Sequence, residues 1–210
     1  MTGFRADDAT GMQKASIYQR LVTLPTGTRY KVELIVKDLG STRMGVVQHS
    51  IAAPKFDGQT LAGSSLILAN VIQPLQSIPT GNPMFVLGDV KVVPKLDKRF
   101  TAATPLGVYL QVYNAALDQQ TLTPSLRVVF TLFRDGRALK AATDEKGEST
   151  QFSSGLRTVL IKELSLEGLE PGPYQIQVEV TDAVTGQKVA AIEGFEVVRD
   201  NRTTQSQITR

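Results

Sequence analysis

The sequence predicts an all-β protein whose antiparallel sheets pack face to face in a β-sandwich. Several segments alternate between apolar and polar side chains, and this period of two is typical of half-buried strands rather than helices. Turns rich in Pro and Gly separate these segments. One turn-and-strand pattern occurs twice, about 145 residues apart, in a chain of 210 residues. Together these observations predict short strands at the spacing of a sandwich.

The repeated pattern lies at residues 24–38, LPTGTRYKVELIVKD, and at residues 169–182, LEPGPYQIQVEVTD. Each copy has a Leu, a Pro/Gly turn, a Tyr that opens a strand, alternate apolar residues and a final Asp. This arrangement is similar to the tyrosine corner of immunoglobulin-like and fibronectin III-like sandwiches, where the phenol hydrogen-bonds to backbone just upstream. We therefore expect Tyr30 and Tyr174 to be structural corner residues, with Tyr174 largely buried. The alternative is an ordinary hairpin that begins with an aromatic residue.

Residues 84–198 are predicted to form one complete immunoglobulin-like β-sandwich. The segment 86–94 is interpreted as an edge strand closed by proline, and 107–115 as a strand with one apolar inward face. The Asp-Gly pair at 135–136 predicts a hairpin turn. A change of apolar phase in the last strand predicts a bulge at Gly194. The remaining strands are expected within 124–142, 155–164, 174–181 and 187–198.

Residues 1–56 are predicted to form only part of a second immunoglobulin-like domain, its last three strands. These strands lie between Ser16 and Ile51, and three strands cannot enclose a sandwich core. The segment is therefore expected to be the C-terminal half of a domain. On this interpretation the chain is a fragment or a truncated reading frame.

The partial domain would leave an apolar stripe, formed by Val32, Leu34 and Val36, without a covering sheet. Burial of such side chains stabilises by roughly 1.5–3 kcal/mol each. Either the connector after this domain covers the stripe, or the chain associates with itself through the stripe and the open strand edges. We expect self-association, as a dimer or as soluble aggregate.

Residues 57–83 are interpreted as the connector between the two domains. The connector is rich in turn residues, but SSLILANVI in its middle is too apolar to remain in water. This stretch is expected to supply a strand to the complete sandwich, or otherwise to brace the two domains. Residues 199–210 lack an apolar period and are expected to form a disordered tail.

The composition excludes several classes of function. Without Cys the chain has no disulfide, no thiolate nucleophile and no cysteine-ligated metal. The 23 Lys and Arg against 20 Asp and Glu give a formal charge of +3, without the dense basic face that nucleic acid requires. The one histidine, His49, has no recognisable nucleophile or orienting partner. We therefore expect no enzyme activity, no cofactor and no nucleic-acid partner.

Acidic residues at strand ends are weak candidates for cation ligands. Asp144, Glu145 and Glu148 lack the spacing of an EF-hand, and we interpret them as a solvated loop. Asp38 and Asp182 end the two strands that begin with Tyr, and we interpret them as caps of Asx turns. The sequence therefore predicts no metal site.

No export signal or membrane span is recognisable in the sequence. Residues 1–20 lack the apolar core of a signal peptide. The longest apolar run, at 66–72, is far too short to span a bilayer. We expect no membrane insertion, and the residues alone leave the compartment open.

Four apolar residues are predicted to point away from the core of the complete sandwich. Tyr109 and Tyr113 lie opposite the inward face of their strand, and Val129 and Phe133 lie opposite the inward face of theirs. Exposed aromatic and branched side chains on a sheet exterior often mark contact surfaces, so these four are candidates for a protein-interaction surface. The alternative is that they pack under the connector or against the neighbouring domain.

A family resemblance is carried by four stretches: LPTGTRYKVELIVKDLGSTRMG, SSLILA, LGVYLQVYNA and FRDGR. Over most of residues 20–200 the sequence resembles the C-terminal region of acidobacterial-type von Willebrand factor A-related proteins and the β-rich parts of GWxTD-domain proteins. The DxSxS metal-site motif of a von Willebrand A domain is absent, and a GWxTD motif is impossible without Trp. The resemblance implies tandem immunoglobulin-like modules of a larger exported envelope protein, in the periplasm or outside the cell.

Two hypotheses of function follow from these observations. The first is a non-catalytic structural or interaction module that contacts a protein partner or a second copy of itself. The second is a sandwich that binds a glycan or a cation through loop ends or exterior tyrosines. We prefer the first, and we rank an enzyme below both, because no acid–base pair or activated nucleophile is recognisable in the sequence.

Overall fold

The computed structural model describes residues 18–54, 57–77, 84–87, 89–145, 149–152 and 157–200. Within these residues the chain forms fourteen strands and no helix, which confirms the predicted all-β class. The described part of the chain accordingly offers no helix of the length and apolarity needed to cross a membrane. Most of the tail predicted at 199–210 lies outside the described residues.

The strands form three sheets. A two-stranded sheet, which we call the N-terminal hairpin, consists of β1 (Arg29–Lys37) and β2 (Met44–Ala52). A five-stranded sheet consists, in spatial order, of β10 (Arg137–Asp144), β9 (Leu126–Arg134), β13 (Gly172–Asp182), β14 (Lys188–Val198) and β7 (Arg99–Thr101). A seven-stranded sheet consists, in spatial order, of β11 (Thr150–Phe152), β12 (Arg157–Leu164), β8 (Leu106–Tyr113), β4 (Ile67–Pro74), β6 (Val90–Pro94) and β5 (Val86–Leu87), with β3 (Ala62–Gly63) also paired to β8.

The two larger sheets pack face to face around one apolar core, so this part of the chain is a β-sandwich. The alternation along β13 directs Tyr174, Ile176, Val178 and Val180 inward, and all four are buried. The inward residues of β8 and β9 complete the centre of the core: Val108, Leu110, Val112, Val128, Phe130 and Leu132. Neighbouring strands are antiparallel except for β7, which runs parallel to β14.

The seven-stranded sheet is covered on both of its faces. Its outer face carries a second apolar cluster that includes Ala69, Val90, Val92, Tyr109 and Val159. These residues come from β4, β6, β8 and β12, which lie in the same sheet, and the partly buried Ile67, Ile72 and Ile161 pack against them. This double burial explains why the inward phase of β12 cannot be derived from its sequence, which is apolar on both faces.

The connector belongs to the sandwich. Both of its strands, β3 and β4, pair with β8, and its residues Leu61, Leu66 and Leu68 lie in the main core. The segment 86–94, interpreted above as one edge strand, is instead divided into β5 and β6, and β6 lies between β4 and β5. The segment therefore lies at the edge of the sheet as predicted, but as a hairpin rather than one strand, because β5 folds back and pairs with β6.

Two further expectations were also wrong. The register between β13 and β14 is unbroken through Gly194, so there is no bulge. Instead, Ile192 lies on the outer face of the sheet with 55% of its surface exposed, which accounts for the change of apolar phase. The strand expected from Ser16 is not formed within its described residues, 18–24.

A fragment of residues 57–200 should fold alone, because it holds both apolar clusters, whereas residues 18–54 should not. A two-stranded sheet without a covered face is at best marginally stable in water. Circular dichroism should record a cooperative melt for the long fragment and none for the short one. A cooperative melt of the short fragment would contradict the separation of the hairpin from the sandwich.

Gly107 on β8 should be intolerant of any side chain. An added Cβ would lie 2.9 Å from the carbonyl oxygen of Ala69 and 3.0 Å from Cδ1 of Ile72. Gly107→Ala should therefore destabilise the sandwich by about 1–3 kcal/mol, the usual cost of overpacking. Gly194→Ala is the matched control, since its Cβ would meet nothing closer than 3.9 Å. Equal urea midpoints for the two variants would contradict the close approach of β4 to β8 at Gly107.

Candidate interaction surface

The structure places the four predicted surface residues on two opposite sides of the sandwich. Tyr109 and Tyr113 lie on the outer face of the seven-stranded sheet, and Val129 and Phe133 lie on the outer face of the five-stranded sheet. Tyr109 is only 1% exposed, and the other three are half-buried. The four residues therefore do not form one surface, and Tyr109 is not exposed to a partner.

The two tyrosines of β8 are joined through Gln111. Gln111 donates from Nε2 to the Tyr109 hydroxyl at 2.6 Å and accepts from the Tyr113 hydroxyl at Oε1, also at 2.6 Å. Burial raises the pKa of both phenols, and the hydrogen bond from Gln111 offsets part of that rise at Tyr109. Both side chains are therefore neutral at ordinary pH. Their arrangement supports a structural role at the second apolar cluster.

Tyr174 forms a buried corner at the start of β13. Its hydroxyl donates to the carbonyl oxygen of Glu170 at 2.8 Å and accepts from Nη1 of Arg134 at 3.2 Å. Its ring stacks on Phe195 with a centroid separation of 5.7 Å, and the Arg134 guanidinium lies over the ring at 5.3 Å. The corner thereby fixes the turn before β13 to both the core and β9.

Tyr30 forms the corresponding corner of the N-terminal hairpin. Its hydroxyl donates to the carbonyl oxygen of Pro25 at 2.9 Å, but the bond is exposed. At the far end of the strand, Asp38 accepts from the backbone N of Gly40, as Asp182 accepts from the backbone N of Val184. Both acids cap Asx turns, as predicted from the sequence.

The N-terminal hairpin repeats the register of the C-terminal hairpin, by which we mean β13 and β14. Adding 144 to both members of a β1–β2 pair gives the corresponding β13–β14 pair: Tyr30↔Ile51 becomes Tyr174↔Phe195. The match continues to Lys37↔Met44, which becomes Thr181↔Lys188, without an insertion. The two hairpins are thus structural repeats.

The surroundings of the two hairpins differ completely. Val178 on β13 has 0% exposure, whereas its counterpart Leu34 on β1 is 51% exposed. The other stripe residues, Val32 and Val36, are likewise exposed, and among the described strands β1 and β2 pair only with each other. Within the described residues, the largest set of neighbouring uncovered apolar side chains is therefore on this hairpin: Val32, Leu34, Ile35, Val36, Val46 and Val47.

The predicted polar candidates lie apart from one another. His49 lies on β2 opposite Val32, exposed and on the same face as the stripe. Asp144 is buried and accepts from the backbone N of Ser149 at 2.6 Å, so the solvated-loop interpretation was wrong for this residue. Glu148 lies outside the described residues. No group of three or more acids or histidines in the described ranges is arranged to hold a metal ion.

A comparison of the sequence with protein-family models finds no match, and a comparison with characterised proteins finds none that is significantly similar. The candidate surface is therefore identified by geometry alone.

Tyr174→Phe should cost about 1–2 kcal/mol of unfolding free energy, because it removes two part-buried hydrogen bonds of the hydroxyl, one donated to the carbonyl oxygen of Glu170 and one accepted from Arg134. Tyr30→Phe is the matched control: its hydrogen bond is exposed to water, so the loss should be within about 0.5 kcal/mol. Urea unfolding of both variants measures the difference. An unchanged midpoint for Tyr174→Phe would contradict the corner.

Proposed function

We propose that the chain is a non-catalytic, immunoglobulin-like structural and protein-interaction module. The observation that carries the proposal is the N-terminal hairpin, which presents apolar side chains on both faces and has no partner at its outer edges among the described strands. Isolated exposed apolar residues are common on proteins, but a contiguous set of this kind indicates an interaction site.

The immunoglobulin-like assignment is supported by strand order. In that fold one sheet has the order A-B-E-D and the other contains C-F-G. The order β4-β8-β12-β11 corresponds to the first sheet, and β9-β13-β14 corresponds to the second. A tyrosine corner at the start of the F-like strand, β13, is a further shared feature.

A binding role is favoured over catalysis by where the reactive groups lie. The buried acids Asp144 and Asp182 accept hydrogen bonds from backbone amides and act as caps. His49 is exposed on the N-terminal hairpin, opposite an aliphatic residue. This arrangement supplies structure rather than a base beside a nucleophile.

The proposed setting is a larger exported envelope protein. It rests on the resemblance of residues 20–200 to von Willebrand factor A-related and GWxTD-domain proteins, which implies tandem modules of this kind. In such a protein the sandwich would act as a spacer, and the N-terminal hairpin would present the contact surface.

The alternative, a glycan- or cation-binding sandwich, predicts ligand-dependent stability. A ligand at 100 times its Kd stabilises the native state by about 2.7 kcal/mol. We expect no rise in melting temperature when the full chain is titrated with Ca²⁺ or with a panel of glycans, each against a buffer-matched control. A reproducible, saturable rise would favour the alternative and overturn the proposed role.

A further inference from the structure

We propose that the N-terminal hairpin binds an extended polypeptide strand of another protein, which pairs antiparallel with the open edge of β1 and extends the apolar stripe. This inference rests on the proposed interaction function and names the kind of partner. It is derived from the C-terminal hairpin, which has the same register as the N-terminal hairpin and is paired with a further strand.

The C-terminal hairpin shows what such a strand does. The edge of β13 that β14 does not occupy is filled by β9, antiparallel, from Gln175↔Phe133 to Asp182↔Leu126. In the N-terminal hairpin the equivalent edge belongs to β1, and none of the described strands pairs with it. Because the two hairpins share their register, β9 defines the position that is open beside β1.

The edge of β1 is also the most receptive one in the described structure. Its nine residues pair with β2 in an unbroken register, so the strand is regular along its whole length. The open edge of β2 is equally long, but its equivalent on β14 pairs only with the three-residue β7, so the C-terminal hairpin defines a full-length partner only beside β1. The open edges outside the N-terminal hairpin are either short, such as β11 with three residues, or interrupted, such as β10 with its register shift between Ala138 and Lys140. Short and bulged edges resist strand addition, whereas a long regular edge invites it.

The shared register also specifies the side chains of the bound strand. Opposite Ile176, Val178 and Val180, the strand β9 places Leu132, Phe130 and Val128. On β1 the counterparts of the three β13 residues are Val32, Leu34 and Val36. The partner should therefore carry bulky apolar residues at every second position, with its central one opposite Leu34. Backbone hydrogen bonds would supply affinity, and the alternate side chains would supply specificity.

A second copy of this chain is a poorer occupant. Its own β9 and β7 are already paired with its β13 and β14, so they are not free to cover another hairpin. A second copy could offer the open edge of its own β1, but an antiparallel pair of two β1 strands centred on Leu34 would place Lys31 opposite Lys37 at both ends. Like charges directly opposite one another destabilise a strand pair. The geometry therefore favours a different protein that has such a strand to donate.

The test uses the ¹⁵N-labelled full chain and a synthetic peptide with the sequence of residues 126–134, LRVVFTLFR, flanked by lysines for solubility. Titration should shift the amide resonances of β1 in a saturable way. A control peptide with Asp in place of the Phe that corresponds to Phe130 should bind at least about tenfold more weakly, which corresponds to the loss of one buried apolar contact of about 1.4 kcal/mol.

Two variants of the chain locate the binding face. Leu34→Asp should weaken peptide binding at least about tenfold, whereas Ile35→Asp, on the opposite face of β1, should change it by less than about threefold. Leu34→Ala, with the hairpin resonances retained, should give an intermediate loss and excludes unfolding as the cause. Equal losses for Leu34→Asp and Ile35→Asp would overturn the assigned face.

Three other outcomes would overturn the inference. They are shifts confined to the edge of β10, equal binding of the control peptide, and a concentration-dependent dimer in light scattering that Leu34→Asp abolishes while the peptide does not bind. Protection of β1 edge amides in the chain alone would also overturn the inference, because another segment would then already fill the edge. Each of these leaves the proposed function standing unless the titration with glycans and Ca²⁺ is also positive.

Discussion

The structure depends on β13, the strand that is paired along both edges and buried along one face. Its inward residues Ile176, Val178 and Val180 are fully buried between the sheets, while β9 and β14 complete its hydrogen bonds. Such a strand satisfies the two requirements of a sheet at once, because its polar backbone is paired and its apolar face is dry. The corner at Tyr174 holds the chain at the point where it enters this position.

The same requirements explain why the N-terminal hairpin stands out. It has the corner, the Asx cap and the register of the C-terminal hairpin, but in the part of the chain that the structure describes it has neither flanking strands nor an opposing sheet. Local sequence sets the turn and the register of a hairpin, but a two-stranded sheet is at best marginally stable until tertiary contacts bury one of its faces. An exposed Leu34 and a buried Val178 thus differ in their surroundings rather than in their own strands.

Much of this fold could be predicted from alternation and turn chemistry. The inward face of β8, the hairpin at 135–136 and both tyrosine corners follow from alternation and turn residues. These patterns are informative where one face of a strand is exposed to water. The second apolar cluster could not be predicted, because Tyr109 is polar at its tip and its cover comes from the connector. The division of 86–94 into β5 and β6 was also not predictable, because the segment alternates as one strand but folds back on itself. The exposure of the stripe follows from the strand count, whereas the shared register is seen only in the structure.

The exact match between the two hairpins also creates a competitor within the chain during synthesis. The N-terminal hairpin leaves the ribosome first, and β9 follows well before β13, so the early hairpin can occupy the place beside β9. Which of the two hairpins remains beside β9 then depends on side-chain volume. Ile51 stands where Phe195 packs edge-on against Phe100, and Val47 stands where the core has Ala191. The early hairpin would leave a void at one position and overfill the other, so the exchange for the C-terminal hairpin runs downhill. Together with Val189, whose counterpart is Gly45, these residues make the core fit the C-terminal hairpin better than the N-terminal one.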